Sequence, residues 1–206
     1  MSRRASSKRW FKTQSRDPFV KQRDAAGYRS RAAFKLKELL ERDRLCRAGQ
    51  VVLDLGASPG GWSQVVAPLV GPAGMVVAVD IVPMAPLPGV AFIQGDALDE
   101  ATERLIKDLL GARAVDLVLS DMAPNLTGIR ASDEARSVAL AEQAWAAAQN
   151  FLRPRGTMVI KMFQHADTDQ FIRTLAGQFD RIARRKPEAS RRQSNEFYLV
   201  ATGFRL

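Results

Sequence analysis

Cysteine and histidine are nearly absent from this sequence, which contains one of each in 206 residues. Cys46 has no second cysteine in the chain with which to form a disulfide bond, so a disulfide-stabilised fold is excluded. One cysteine and one histidine are also too few to build a zinc site, and we expect no bound metal. A chain that cannot form an internal disulfide is typical of a reducing compartment, and we expect a cytoplasmic location.

Long hydrophobic runs are missing as well. No segment approaches the ~20 apolar residues that a membrane-spanning helix needs, so we expect no membrane association. The chain is 46% hydrophobic and 26% charged, as an ordinary globular protein is. Because the sequence has no heptad pattern and no broad apolar stripe left for a partner, we expect a monomer.

Acidic residues are scarce at both ends of the chain. Residues 1–50 contain 15 basic and 5 acidic residues, and residues 181–206 contain 7 and 2, whereas residues 51–180 carry a net charge of −6. Clustered basic residues gain affinity for polyanions by displacing counterions from phosphates. The distribution favours a nucleic-acid partner, with a merely solubilising surface as the alternative.

The first 27 residues have six basic residues and no acidic one before Asp17. A mitochondrial transit peptide can have such a composition. However, Trp10, Phe11 and Phe19 are interleaved with the charges and are of the type that stacks on bases. We therefore predict a basic RNA-binding arm over residues 1–27 and a single domain over residues 28–206.

Beyond the arm, apolar segments alternate with amphipathic ones. The residues after Ser30 have the apolar spacing of a helix, and Ser30 is the expected N-cap. This spacing places Lys35 at the border of the apolar stripe, so its side chain points either to solvent or into a cleft. Amphipathic helices are expected between most of the later strands. The final two apolar runs lack a helix between them. This pattern predicts an α/β fold, with a mostly parallel seven-stranded sheet, one antiparallel edge strand and helices on both faces. The expected strands are 51–57, 75–80, 90–96, 114–121, 156–163, 181–185 and 196–202.

Five successive strands are expected to end in a charged residue. In an open parallel sheet, ligands bind at the carboxyl ends of the strands. Aspartate at a strand end often serves only as a turn former or helix cap, but that explanation covers one or two positions better than five. We therefore expect these side chains to form a binding site: Asp54, Asp80, Asp96, Asp121 and Lys161.

The loop after the first strand, DLGASPGGW, indicates which ligand this site binds. It lacks the G-x-G-x-x-G pattern with which dinucleotide-binding proteins hold a pyrophosphate. Asp80 is placed to bind a ribose diol, and Asp96 to accept a hydrogen bond from an adenine amino group. A nucleoside without phosphates fits such a cleft, and S-adenosylmethionine is the common cofactor of that kind. The fold is then a Rossmann-like S-adenosylmethionine-dependent methyltransferase fold.

Three other functions fit the sequence less well. A base amino-methyltransferase typically has an Asp/Asn-Pro-Pro-aromatic loop, but here the corresponding loop is DMAPN. A nicotinamide dehydrogenase lacks its glycine motif, and an RNA-binding protein without activity has no use for Lys161 beside a cofactor loop. His165 has no serine or cysteine nucleophile motif beside it, so we interpret it as a loop residue and Cys46 as structural.

Five motifs occur in the order and spacing of a known family: SRAAFKL, DLGASPGGWSQ, LSDMAPN, VIKMFQ and SNEFYLVATG. With these motifs, the chain resembles a family of bacterial enzymes over essentially its whole length. This family is the FtsJ-type methyltransferase E family, whose members methylate large-subunit ribosomal RNA. The resemblance implies methylation of the ribose 2′-OH of a uridine in the A-loop of 23S rRNA, on the assembled 50S subunit. It also implies a Lys-Asp-Lys-Glu tetrad at Lys35, Asp121, Lys161 and Glu196, and cofactor contacts at Gly60, Trp62, Asp80, Asp96 and Asp121.

The chemistry of the reaction is consistent with that assignment. A ribose hydroxyl is a weak nucleophile, whereas the methyl group of a sulfonium is already activated, so the enzyme has to align the reactants and remove one proton. A lysine serves as the base when burial or a neighbouring cation favours its neutral form. We predict Lys161 as the base and Asp121 as the residue that orients it, with Lys35 and Glu196 positioning the hydroxyl.

Overall fold

The apolar runs of the sequence form one seven-stranded sheet with helices on both faces. The computed structural model describes residues 18–205 apart from 125, 126, 166 and 192. The helices are α1 (Pro18–Ala26), α2 (Ala32–Asp43), α3 (Gly61–Val70), α4 (Glu100–Leu110), α5 (Arg130–Phe151) and α6 (Thr168–Leu175). The strands are β1 (Val51–Leu55), β2 (Met75–Asp80), β3 (Val90–Gln94), β4 (Val115–Ser120), β5 (Leu152–Phe163), β6 (Phe179–Arg185) and β7 (Glu196–Phe204).

The strand order in the sheet is β3-β2-β1-β4-β5-β7-β6. Neighbouring strands from β3 to β5 are parallel, and β7 runs antiparallel to both β5 and β6. The expected α/β fold with seven strands is therefore confirmed. The antiparallel strand lies one place in from the edge rather than on it, because the chain turns back after β6 and inserts β7 beside β5.

Two apolar cores lie on the two faces of this sheet. On one face, α2 and α3 pack Leu36, Leu39 and Trp62 against the strands. On the other face, α4, α5 and α6 contribute side chains such as Ile106 and Phe171. All five residues of β1 are buried, as expected for a strand covered on both faces. The cores thus fix the strand ends relative to one another.

The ends of several elements differ from those expected. Arg31, not Ser30, occupies the N-cap position of α2, and it makes no capping hydrogen bond through its side chain. The Ser30 side chain instead packs where a Cβ on Gly61 would stand, and its hydroxyl oxygen is only 2.1 Å from that position. Packing against the first residue of α3 has therefore replaced the capping role. Strand β5 also begins at Leu152, directly after α5, rather than at residue 156.

Part of the predicted arm is folded. Residues 1–17, including Trp10 and Phe11, lie outside the described residues, but α1 follows them. The ring of Phe19 lies 5.7 Å from the ring of Phe34 on α2. Phe19 thus packs against the domain, and its role in stacking on RNA stays a prediction. Across the described ranges, no helix has the length and apolar character to cross a bilayer.

Candidate active site

The carboxyl ends of β1, β2, β3 and β4 surround a cavity of about 340 Å³, the size of a small-ligand site. Three of the expected cofactor residues line it, namely Asp80, Asp96 and Asp121. Each follows or ends a different strand, so the parallel sheet brings together carboxylates that are far apart in sequence. The cavity also has apolar walls, to which Ile81 and Val82 contribute.

Asp80 is held rigidly at the end of β2. Its Oδ2 accepts a hydrogen bond of 2.8 Å from the backbone N–H of Ser58, and its Oδ1 accepts one of 2.8 Å from Val82. Each carboxylate oxygen keeps a second acceptor site for a ligand. The loop after β1 and the turn after β2 therefore present both oxygens in a fixed orientation.

Asp96 has one oxygen in use within the protein. Its Oδ1 accepts a hydrogen bond of 3.0 Å from the backbone N–H of Leu98. Among the hydrogen bonds of the described residues none involves Oδ2, which leaves that oxygen as an acceptor at the cavity wall. This arrangement suits a donor such as an exocyclic amino group.

Gly60 and Trp62, expected to contact the cofactor, do not line this cavity. The Trp62 side chain is 2% exposed, donates from Nε1 to the backbone oxygen of Ala32, 2.9 Å away, and packs against the ring of Tyr198. Gly60 has a φ of +104°, and a Cβ there would lie 2.7 Å from Leu87. Core packing and loop geometry account for both residues in this structure.

Gly56 lines the cavity at a position where only glycine fits. Its φ is +68°, a region that side chains disfavour, and a Cβ would lie 2.4 Å from Cγ of Met122. The backbone N–H groups of Gly56 and Ala57 both donate to the oxygen of Val79. The first loop is thereby tied to β2, and it leaves room for a ligand against its backbone.

Asp54 lies beneath this cavity rather than in its wall. It is 1% exposed, Oδ2 accepts a 2.6 Å hydrogen bond from the Ser63 hydroxyl, and Oδ1 has no hydrogen-bond partner among the described residues. The pKa of Asp54 is raised to about 7, chiefly because burial disfavours its charged form. The Ser63 bond opposes this rise and the charge of Asp121 adds to it. The carboxyl is therefore partly protonated at neutral pH.

Lys161 and Asp121 form a partly buried ion pair at the edge of the cavity. The Nζ of Lys161 lies 2.6 Å from Oδ1 of Asp121 and donates to the backbone oxygen of the same residue at 2.9 Å. The two side chains are 8% and 18% exposed. Asp121 also lines the cavity, so it contacts the proposed cofactor space on one side and holds the Lys161 amine on the other.

A second ion pair joins Lys35 of α2 to Glu196 at the start of β7. Their side chains are 8% and 11% exposed. The position of Lys35 at the border of the apolar stripe left open whether it points to solvent or into a cleft, and the structure shows that it points inward. All four residues of the expected tetrad therefore meet at one edge of the sheet.

Tyr198 links the two pairs and was not singled out from the sequence. Its hydroxyl donates to Oδ1 of Asp121 at 2.7 Å, and the Nζ of Lys35 lies 5.8 Å from its ring centroid. Tyr198 is paired with Lys161 in the β5–β7 register. Its place two residues after Glu196 on a strand, and hence on the same face, is the signal that could have identified it.

Burial and neighbouring charges set the protonation of this cluster. Burial lowers the pKa of Lys35, and the carboxylates of Asp121 and Glu196 partly offset that effect. Burial alone would raise the pKa of Glu196, but the charge and hydrogen bond of Lys35 and the charge of Lys161 outweigh it and lower the pKa. Burial raises the pKa of Tyr198 well above its usual value, and Asp121 adds to this rise. Tyr198 therefore stays a neutral donor to Asp121.

The single histidine and the single cysteine lie apart from this cluster. His165 follows β5 in a bend and is buried, and Cys46 is half-buried after α2. Burial raises the pKa of the Cys46 thiol, which disfavours its reactive thiolate form. Among the described residues, no three His, Cys, Asp or Glu side chains are grouped so as to hold a metal ion.

Comparison with known proteins identifies the family of the chain. A sequence model of the FtsJ-like methyltransferase family matches residues 28–204. The chain belongs to the FtsJ-like methyltransferase family. This match covers the whole sheet and every member of the ion-pair cluster, so the FtsJ-like domain contains both the cavity and the two lysines.

Two curated relatives of this FtsJ-like chain carry the name ribosomal RNA large subunit methyltransferase E. The protein of Marinobacter nauticus is 49% identical and covers 100% of both chains. That of Alkalilimnicola ehrlichii is 52% identical over 99% of this chain and 98% of its own.

Two solved structures resemble the FtsJ-like fold. A ribosomal RNA methyltransferase of Plasmodium falciparum, so described, is 28% identical with a TM-score of 0.77, and the match covers 86% of this chain and 98% of that one. A fibrillarin complex, 18% identical with a TM-score of 0.53, covers 77% of this chain and 74% of that chain and shows likeness of fold alone.

Proposed function

We propose that this protein transfers a methyl group from S-adenosylmethionine to the ribose 2′-OH of a uridine in large-subunit (23S) ribosomal RNA. The observation that carries the proposal is the pair of lysine–carboxylate contacts at the edge of the strand-end cavity. In the fuller form of the proposal, the target lies in the A-loop of the assembled 50S subunit. The protein would act as a monomer in the cytoplasm.

The residues of the cavity suit the proposed cofactor. Asp80 offers two fixed oxygens to a ribose diol, and Asp96 offers an unused oxygen to an amino group. Asp121 places a carboxylate where an amino acid ammonium or a sulfonium would be attracted. S-adenosylmethionine, when bound, supplies a methyl group activated by its sulfonium. Gly60 and Trp62, at the end of the loop after β1 and the start of α3, remain proposed cofactor-binding residues.

The lysines and carboxylates have separate roles in this proposal. As the base, Lys161 has to react as the neutral amine, so that its nitrogen lone pair accepts the proton of the ribose hydroxyl while Asp121 holds the side chain at 2.6 Å and balances the ammonium that forms. Lys35 and Glu196 hold the hydroxyl in line with the methyl group, and their mutual ion pair fixes both side chains. Tyr198 fixes Asp121 by a hydrogen bond of 2.7 Å and so acts as a positioning residue.

The names of the relatives and the charge of the chain support an RNA substrate. Both curated relatives are called ribosomal RNA large subunit methyltransferase E. Lys and Arg are concentrated at the two ends of the sequence, and the C-terminal cluster extends from β6 toward Glu196. An extended anion such as RNA would therefore meet positive charge beside the proposed acceptor site.

A labelled methyl group tests the choice of substrate. The protein and radiolabelled S-adenosylmethionine would be incubated with one of two substrates from cells lacking this enzyme. These substrates are large ribosomal subunits and protein-free ribosomal RNA. We expect incorporation into the RNA of the subunits and weaker incorporation into protein-free RNA. Absence of label in both substrates, or label found in ribosomal proteins, would contradict the proposed function.

Replacing Asp80 with alanine tests the cofactor site. The substitution removes both oxygens expected to bind the ribose, and we expect cofactor affinity to fall by about 2 kcal/mol, roughly thirtyfold, in calorimetry. Asp108→Ala is the matched control, because Asp108 is exposed on α4 away from the cavity. Equal affinity of the Asp80 variant and the unaltered protein would show that the cofactor binds elsewhere.

Removal of residues 1–17 tests the RNA-binding arm. This segment has six basic residues and one acidic residue, and its removal leaves Phe19 in place against Phe34. We expect weaker RNA binding and a shallower dependence of log affinity on log salt, by about 0.7 for each phosphate that the arm neutralises. Cofactor affinity should not change. An unaltered salt dependence would favour the transit-peptide interpretation of this segment.

A further inference from the structure

A second pocket, of about 310 Å³, opens beside Glu196 on the other half of the same sheet edge. It lies at the ends of β5 and β6 and the start of β7, whereas the cofactor cavity lies at the ends of β1 to β4. Glu196 is common to this pocket and to the ion pair with Lys35. At Glu196 the pocket therefore adjoins the place proposed for the acceptor hydroxyl, although Phe197, the next residue of β7, projects from the opposite face of the sheet.

One wall of the pocket is a guanidinium held in a fixed plane. Nη1 of Arg184 donates to Oε1 of Gln164 at 3.0 Å, and Nη2 forms an ion pair with Asp169. Cζ of Arg184 lies 5.4 Å from the ring centroid of Phe197. Guanidinium planes that are held in this way are surfaces on which unpaired RNA bases stack.

Two amide side chains lie at the rim. The backbone N–H of Gln164 donates to the backbone oxygen of Asn195 at 3.0 Å, which fixes the two residues against each other. The oxygen of the Gln164 side chain accepts from Arg184, which leaves its NH₂ group as a donor. The Asn195 side chain is exposed and supplies both a donor and an acceptor. Together they match the donors and acceptors on the Watson–Crick edge of a base.

The cations around the pocket are already engaged within the protein. Arg184 is paired with Asp169, and Arg185 contacts both oxygens of Asp43 at 2.7 and 2.8 Å. The Nζ of Lys186 donates to the backbone oxygen of Ser194 at 2.9 Å. A phosphate site would instead need cations free to turn toward the anion. The pocket is therefore better suited to a base than to a phosphate.

We propose that this pocket holds the base of the nucleotide whose ribose is methylated, with Gln164 and Asn195 reading its edge and Arg184 stacking on its face. This proposal rests on the proposed function. The carbon that bears the base is bonded directly to the carbon that bears the 2′-hydroxyl. A ribose positioned by Lys35 and Glu196 can therefore direct its base around the start of β7, where the pocket opens.

A crossed experiment tests this assignment. The proteins are the unaltered chain, the double variant Gln164→Ala with Asn195→Ala, and Gln178→Ala, an exposed amide at the opposite end of β6. The substrates are large subunits with the natural base, with a changed base at the mapped methylation site, and with a changed base at the neighbouring position. The measured quantity is kcat/KM for the subunit, together with cofactor affinity as a check of folding.

For the unaltered protein and Gln178→Ala, we expect kcat/KM to fall about tenfold or more when the methylated nucleotide carries another base. For the double variant, we expect kcat/KM on the natural subunit to fall about tenfold. Its preference between the two bases should shrink to within about twofold, and its cofactor affinity and salt dependence should not change. Arg184→Lys keeps the positive charge but lacks the planar guanidinium. This variant should show the same loss of preference between the natural and the changed base.

Three results would overturn the assignment. An undiminished preference in the double variant would show that the pocket does not read the target base. A preference lost only for the neighbouring position would assign the pocket to the flanking base. A shallower salt dependence in the double variant would indicate a phosphate contact. If the unaltered protein methylates none of the three kinds of subunit, the proposed function itself fails, which is a distinguishable result.

Discussion

Replacing Lys161 with arginine should lower the rate of methyl transfer about a thousandfold while cofactor affinity stays within about twofold. A guanidinium can keep the ion pair with Asp121, but it does not release its proton near neutral pH and cannot act as a base. Loss of a general base typically costs a factor of 10² to 10⁴. Single-turnover rates at saturating cofactor measure this effect without interference from product release.

The matched control for this substitution is Lys107→Arg. Lys107 is an exposed lysine on α4 that also pairs with a carboxylate, Glu103, and its replacement should leave the rate unchanged. An arginine variant with most of the activity would show that Lys161 is an electrostatic anchor and that the proton leaves to another group.

Asp121→Asn should also reduce the rate, by about a hundredfold or more, and should weaken cofactor binding as well. Asparagine keeps the size of the side chain and an acceptor for the Tyr198 hydroxyl, but it loses the charge that holds the Lys161 amine at 2.6 Å. Because Asp121 also lines the cavity, both kcat and cofactor affinity should fall. Asp80→Ala should differ by weakening cofactor binding while leaving the rate at saturation largely intact.

The control for the Asp121 substitution lies on the same strand. Asp116 is near the start of β4, where it pairs with Arg153 at 2.6 Å and accepts a hydrogen bond from the backbone of Val51. Asp116→Asn therefore removes a comparable ion pair far from the cavity and should affect stability rather than rate. Equal losses of activity in the two variants would mean that Asp121 acts only through the stability of the sheet.

The positions that sequence analysis predicted well depend on local patterns. Continuous apolar runs identified the strands, and parallel strands place their carboxyl ends at one edge, so Asp80, Asp96 and Asp121 could be grouped before the structure was known. Lys161 could be placed in this group by the same argument. None of these inferences requires knowledge of how distant elements pack.

The remaining parts of the site depend on packing between distant segments. The direction of Lys35 is decided by the docking of α2 onto the sheet, because the helical period alone leaves it at the border of the apolar stripe. Tyr198 reaches Asp121 only because β7 inserts between β5 and β6. Trp62 and Phe19 were expected to contact ligands, but the Trp62 ring is buried against Tyr198 and the Phe19 ring packs on Phe34. Aromatic side chains serve either role, and their sequence context does not distinguish between the two.

The position of the transferred methyl group tests the central claim most directly. Large subunits methylated by the protein would be digested to nucleosides, and the labelled nucleoside would be identified by mass spectrometry. The account predicts a uridine whose added mass remains with the ribose fragment after the glycosidic bond is broken. A methyl group that stays with the base fragment would contradict the proposed roles of Lys161, Asp121, Lys35 and Glu196.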